Sequence, residues 1–154
     1  MAGHQPPNPD LLSLNTATVR EKWNLRQMIE GDSAGHSDAL LGIFDAIAPA
    51  ASAALSALAK SDRSTFHEIL APTVPLSRHI FCAPTRYYKT GVVCMSWLNG
   101  HQDHFVMVGG QQSARSIQHL AELFRLADQA GRFADPELAT RRMTAVLATR
   151  GIGA

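Results

Sequence analysis

Apolar positions recur with helical spacing along most of this chain, and seldom with the alternation of a half-buried strand. The plainest case is SIQHLAELFRLADQAG. Ile117, Leu120, Leu123, Phe124 and Leu126 form a wide stripe, Ser113 or Ser116 can cap the start, and Gly131 can end it. This predicts a helix over 116–130. PELATRRMTAVLATRG predicts the next, with Asp135 as cap and Pro136 at the first helical position. Upstream, PAASAALSALAKSD reads as a helix that starts near Pro49 and ends near Lys60. DRSTFHEIL predicts a helix over 62–70, and APTVPLSRHIF a short one over 74–82. Pro84 interrupts. TRYYKTGVVCMSWLNG is then helix-like, with Val92, Met95 and Leu98 three apart and Gly100 at its end.

The first third is less uniform. TATVREKWNLRQMIEG offers Thr16 or Thr18 as a cap, with Glu21 three after Thr18, and predicts a helix over 19–30 stopped by Gly31. ALLGIF, residues 39–44, fits either a short buried strand or a helical turn. HQDHFVMVGGQQSA reads as a connection between helices. Residues 1–13 are polar and proline-rich and read as a disordered leader. No internal repeat is present. The expected fold is mainly α, an array of helices with at most one or two short strands.

Composition narrows the function classes. The chain has 154 residues, 45% of them hydrophobic, which suits one ordinary domain with a sizeable core. Alanine and leucine dominate, in keeping with helix. The formal net charge is +1 with both signs interspersed, so no basic stripe points to nucleic acid. No apolar run approaches the roughly 20 residues that span a bilayer. MAGHQPPNPD lacks the basic flank and apolar stretch of a secretory signal, so a cytoplasmic location is expected, with no membrane partner. Cys82 and Cys94, in apolar company, are expected to be buried thiols and not a disulfide.

Several residues invite a chemical reading. His101 and His104 in GHQDHFVMVGGQQ are weak metal candidates, with Asp103 between them. Their spacing puts both rings on one face only in a helix, and zinc needs at least three protein ligands. Gly109, Gly110 and Arg115 are weak anion candidates ahead of the 116–130 helix, but GGQQSARS lacks the lysine of a phosphate loop. Lys89 in YYKTGVV has the apolar neighbours of a Schiff-base lysine, or of a lysine that merely reaches solvent. His67-Glu68 has no second histidine at metalloprotease spacing. No Ser/His/Asp or Cys/His set stands out. No catalytic residue and no cofactor are assigned.

Five stretches carry a resemblance: GHSDALLGIFDAIAPAA, ILAPTVPLSRHIF, APTRYYKTGVV, WLNGHQDHFVMVGGQQSARS and HLAELFRLADQAG. Through them, residues 31–154 resemble the C-terminal part of an uncharacterised family related to dihydrodipicolinate synthase. LSLNTATVREKWNLRQMIEG, within residues 12–31, looks like the opening of a sugar phosphate isomerase/epimerase-type barrel protein. The organisation this implies is a leader over 1–13, an isomerase-like segment over 14–31 and a helical fragment over 32–154, the two resemblances meeting near Glu30 to Asp32.

The synthase resemblance implies a (β/α)8 barrel with extra C-terminal helices and a Schiff-base lysine on a strand that precedes the matching part. By it, ALLGIF corresponds to the last barrel strand, the helix from Pro49 to the last barrel helix, and Lys89 to the C-terminal helical region. A closed barrel takes at least about 200 residues, so 154 residues leave it incomplete. ALLGIF would then turn helical or pair with LSLN. Helices shaped for an absent barrel would expose part of their apolar faces. The expected function is that of a truncated, inactive relative of the Schiff-base aldolases. The alternatives are a helical module that binds itself or an intact barrel homologue, and a small metal or phosphate binder.

Overall fold

The computed structural model describes residues 29–31, 33, 35–36 and 41–153. Residues up to 40 and residues from 41 onward are separate compact units. In the first, Ile29 and Glu30 end a helix and Gly31 stops it at φ +74°. A Cβ at residue 31 would meet the His36 Cβ at 2.6 Å and the Gly35 oxygen at 2.7 Å, so the turn requires glycine. The rest of the expected 19–30 helix, its capping box, the LSLN segment and the leader lie outside the described residues.

The second unit is built of helices joined by turns and one longer irregular stretch, residues 101–107. α1 (Leu41–Phe44) runs through a 3₁₀ turn (Asp45–Ile47) into α2 (Ala48–Ala59). α3 (Arg63–Leu70) follows, then a 3₁₀ turn (Ala71–Thr73) and α4 (Val74–Ile80). After a third 3₁₀ turn (Thr85–Tyr87) come α5 (Tyr88–Leu98), a 3₁₀ segment (Val108–Ser113), α6 (Ile117–Gln129) and α7 (Pro136–Ala148). Among the described residues β structure is limited to one bridged residue, Gly35. The ambiguity of ALLGIF therefore resolves to helix from Leu41 onward, and the alternative of a strand there, paired with LSLN, is corrected. With no neighbouring strands, a helical turn is what satisfies its N–H and C=O groups.

Local signals explain most of the helix starts. Asp62, Ser116 and Asp135 each accept a hydrogen bond from the main-chain N–H three residues on, at 3.0, 3.2 and 2.9 Å. Ser116, rather than Ser113, caps α6. Pro49 and Pro136 sit in first turns, where the missing N–H costs nothing.

α5 is the central element. It packs against the Asp45–Ile47 turn, α4, α6 and α7, while α2 and α3 pair with each other. Its buried face is Thr90, Gly91, Cys94, Met95 and Leu98, so the expected Val92 lies beside the seam and Gly91 lies on it. Phe66, Leu76, Ile80, Met95, Leu98 and Leu123 are fully buried. On the α6 stripe Leu120 and Leu123 are buried, while Ile117, Phe124 and Leu126 are half-buried. Among the described residues the large exposed hydrophobic side chains are Val106, Val108 and Ile152, all outside the α-helices.

Among the described residues one helical run, Gly42–Ala59, is long and apolar enough by length and composition to cross a membrane, which corrects the expectation that no apolar run approaches such a span. Its apolar character comes largely from alanine. Ile43, Phe44, Ile47, Ala50, Ala51 and Ala54 are buried inside the unit, as in the core helix of a helical bundle.

Candidate functional site

The described residues bring four polar side chains together where the end of α4 meets the start of α6. His79 lies in the last turn of α4, and Cys82 lies two residues beyond that helix. Arg115 precedes the Ser116 cap, and His119 lies in the first turn of α6. The imidazoles of His79 and His119 stack, with centroids 4.0 Å apart and planes 19° apart. His79 Nε2 donates to the main-chain oxygen of His119 at 2.9 Å. A carbonyl only accepts, so that nitrogen carries a proton. The Cys82 sulfur lies 3.9 Å from His119 Nδ1.

Arg115 ties the loop after α4 to this point. Its Nη2 donates to the oxygens of Cys82 at 2.7 Å and Pro84 at 3.1 Å, and its Nη1 to Ala83 at 3.1 Å. Arg115 Nε and His119 Nε2 are buried without a hydrogen-bond partner. Burial, then the nearby His79, then Arg115 hold the His119 pKa down at about 4, so the ring is neutral at pH 7. The two thiols differ. Cys94 is buried in α5, and burial pushes it up to about 12. Cys82 is a free, half-buried thiol, which corrects the expectation that both cysteines are buried.

The residues singled out from the sequence lie elsewhere or do other work. His101 and His104 are exposed, on a bend rather than a helix, so the i, i+3 spacing does not put them on one face. Among the described residues no three His, Cys, Asp or Glu side chains converge to hold a metal ion. Gly109 and Gly110 adopt φ of +66° and +72° within the Val108–Ser113 segment and are exposed. The buried Thr90 anchors that segment, its hydroxyl donating to the Gln111 oxygen at 2.8 Å. Both Nη atoms of Arg115 are spent on carbonyls, so the proposed anion set of Gly109, Gly110 and Arg115 does not form one cradle. Lys89 is exposed in the first turn of α5. His67 lies edge-on to Phe66, and Glu68 accepts from Ser64 at 3.1 Å.

Sequence reasoning misses His79, Cys82 and His119 because no spacing links them. His79 and His119 are 40 positions apart, and only the packing of α4 on α6 makes them neighbours.

In comparison with known families, residues 18–152 match the model of DUF993, a protein family of unknown function. The matched span runs through residues 30–32, where the two resemblances meet. No curated protein matches the chain.

Proposed function

The chain belongs to the DUF993 family, and from that premise we propose that its helical unit corresponds to the C-terminal helices of a Schiff-base aldolase-type barrel relative and that these 154 residues have no lyase activity by themselves. The carrying observation concerns lysine. A Schiff-base lysine needs a desolvated amine, uncharged near neutral pH. The chain has three lysines, Lys22, Lys60 and Lys89. Lys60 and Lys89 are exposed, and Lys22 lies outside the described residues. The matched span also holds all five stretches that carry the synthase resemblance. Borohydride reduction in the presence of pyruvate, read by intact mass, tests the reading. No adduct is expected; a reduced adduct on any of the three lysines overturns it.

A second reading, a helical module that binds another copy of itself or an intact barrel homologue, is favoured by one observation. Val108, 95% exposed, opens the 3₁₀ segment that Thr90 anchors to the core, and Val106, 61% exposed, lies two residues before it. Exposed apolar side chains on an anchored loop suit a protein contact. Light scattering across a concentration series tests it. A mass above that of the monomer is expected, and should fall in the V106S/V108S double variant. A monomer at every concentration, with no capture of an intact homologue, overturns the reading.

A further inference from the structure

We propose that Asn99-Gly100 is a deamidation site held shut by the corner between α5 and α7, and that the product at residue 99 loosens that corner. Of Asn8, Asn15, Asn24 and Asn99, the last alone precedes glycine. A glycine, with no Cβ, leaves its own main-chain nitrogen the freest approach to the preceding side chain. The dipeptide follows the last residue of α5, and Gly100 is exposed, so water reaches it.

The fold keeps the reacting atoms apart. The Asn99 amide bridges two elements. Its Nδ2 donates to the Met95 oxygen in α5 at 3.2 Å, and its Oδ1 accepts from the Ala134 N–H at 2.8 Å, one residue before the Asp135 cap of α7. The Gly100 N–H donates to the Trp97 oxygen at 3.0 Å. Arg142 of α7 donates to that same oxygen and to the Gln102 oxygen beyond it. With Asn99 at ψ 4°, the Gly100 nitrogen is turned away from the side chain it must attack. Ring closure therefore requires a local opening that breaks these bonds, and its rate follows the population of the open corner.

The step needs only water as co-reactant. The Gly100 nitrogen gives up its proton and bonds to Asn99 Cγ. The Cγ–Nδ2 bond breaks, and the departing nitrogen takes up a proton and leaves as ammonia. Water then opens the succinimide at one of its two carbonyls, giving aspartate or isoaspartate at position 99. Nothing is oxidised or reduced; amide and water become carboxylic acid and ammonia. Once ionised, the product cannot donate to the Met95 oxygen, and it sets a negative charge at the negative end of the α5 dipole. Isoaspartate also lengthens the main chain by one carbon beside Gly100, where a Cβ would already meet Leu138 Cδ2 at 3.1 Å.

The experiment incubates the full chain at mildly alkaline pH, folded and in urea, and follows residue 99 by peptide mass spectrometry with fragmentation that separates aspartate from isoaspartate. In urea Asn99 should be lost faster than Asn24, and Gly100→Ala should slow the loss several-fold. In the folded chain the loss should be at least about tenfold slower than in urea. Arg142→Ala, if folded by circular dichroism, should speed the folded reaction several-fold, and Asn99→Asp should lower Tm by a few degrees. Equal rates in the folded chain and in urea overturn the proposal, as do an unchanged rate in a folded R142A chain and an N99D chain as stable as the wild type. If R142A does not fold, hydrogen exchange of the wild-type Gly100 amide decides. Urea below the unfolding transition should speed that exchange and the deamidation in parallel, and a deamidation rate that does not follow exchange overturns the gating.

Discussion

Arg142, in α7, donates to the main-chain oxygen of Trp97 and lays its guanidinium over the Trp97 ring, 5.4 Å from the centroid. The same nitrogen reaches the Gln102 oxygen at 3.0 Å. The last carbonyls of a helix lack partners within it, and a cation there also meets the negative end of the dipole. Arg142 thus closes the end of α5 and ties the following bend to α7. Trp97 completes the corner by stacking on Phe105, with centroids 5.8 Å apart.

Removing that side chain takes the donor from the half-buried Gln102 carbonyl, leaves the Trp97 oxygen with only the Gly100 N–H at 3.0 Å, and strips a cation from an aromatic face. Hydrogen bonds to charged groups contribute about 1.5–3 kcal/mol net. Arg142→Ala should therefore cost about 2 kcal/mol and lower Tm by about 4–8 °C. Arg142→Lys should recover little, because one ammonium cannot reproduce the planar fork over the ring. Urea unfolding followed by circular dichroism checks this. A midpoint within error of the wild type would show that the corner holds without Arg142.

Stability should also depend on pH through His119. The ring is harder to protonate in the folded chain, at about 4, than as an ordinary imidazole at 6.5. Between those values the unfolded chain binds more protons, so this contribution is whole above about 6.5 and is lost as pH falls towards 4. The ring is partly exposed, and solvent screening reduces the effect to on the order of 1 kcal/mol. Thermal melts from pH 7.5 to 4.5 should show Tm falling more steeply in the wild type than in H119F. Parallel curves would place the acid sensitivity elsewhere.

Ser116 supplies the first bonded turn of α6, and the N–H it accepts belongs to His119. A serine cap replaced by alanine typically costs about 1 kcal/mol. Ser116→Ala should lower Tm by a few degrees and Ser116→Asp should restore it, while Ser113→Ala should change little. If S113A proves the more damaging change, the helix starts earlier than Ser116.

The parts of this fold that can be read from the sequence are those with a local cause. Asp62, Ser116 and Asp135 announce helix starts because a short polar side chain before an apolar stripe has one obvious use. Gly31 and Gly100 announce stops, and both take a positive φ. What escapes such reading depends on contacts between distant residues. ALLGIF is too short for its period to decide between strand and helix. The i, i+3 histidines 101 and 104 mislead because the segment is not helical. The His79, Cys82 and His119 group gives no local sign at all. Even Arg115, singled out as an anion candidate, is bound to carbonyls more than 30 positions away.

Gly91 illustrates the same point and yields the sharpest stability test. Glycine inside a helix costs about 1 kcal/mol relative to alanine, so its presence in α5 needs a reason. A Cβ at residue 91 would lie 3.1 Å from Leu123 Cδ1 and 3.2 Å from Ile80 Cγ1. Both neighbours are fully buried and have no free volume to move into. Gly91 therefore permits the close approach of α5 to α4 and α6. Gly91→Ala sets the propensity gain against a crowded contact and should come out near neutral. Gly91→Val adds two more carbons and a stiff χ1, and should cost about 2 kcal/mol or more, since overpacking typically costs about 1–3 kcal/mol. The decisive measurement is a double-mutant cycle by urea unfolding. Leu123→Val removes the δ carbons, among them the Cδ1 that an added Cβ would meet at 3.1 Å, so L123V with G91V should be less unstable than the two single changes added together, by at least about 0.5 kcal/mol. Simple additivity would mean that residue 91 does not crowd Leu123.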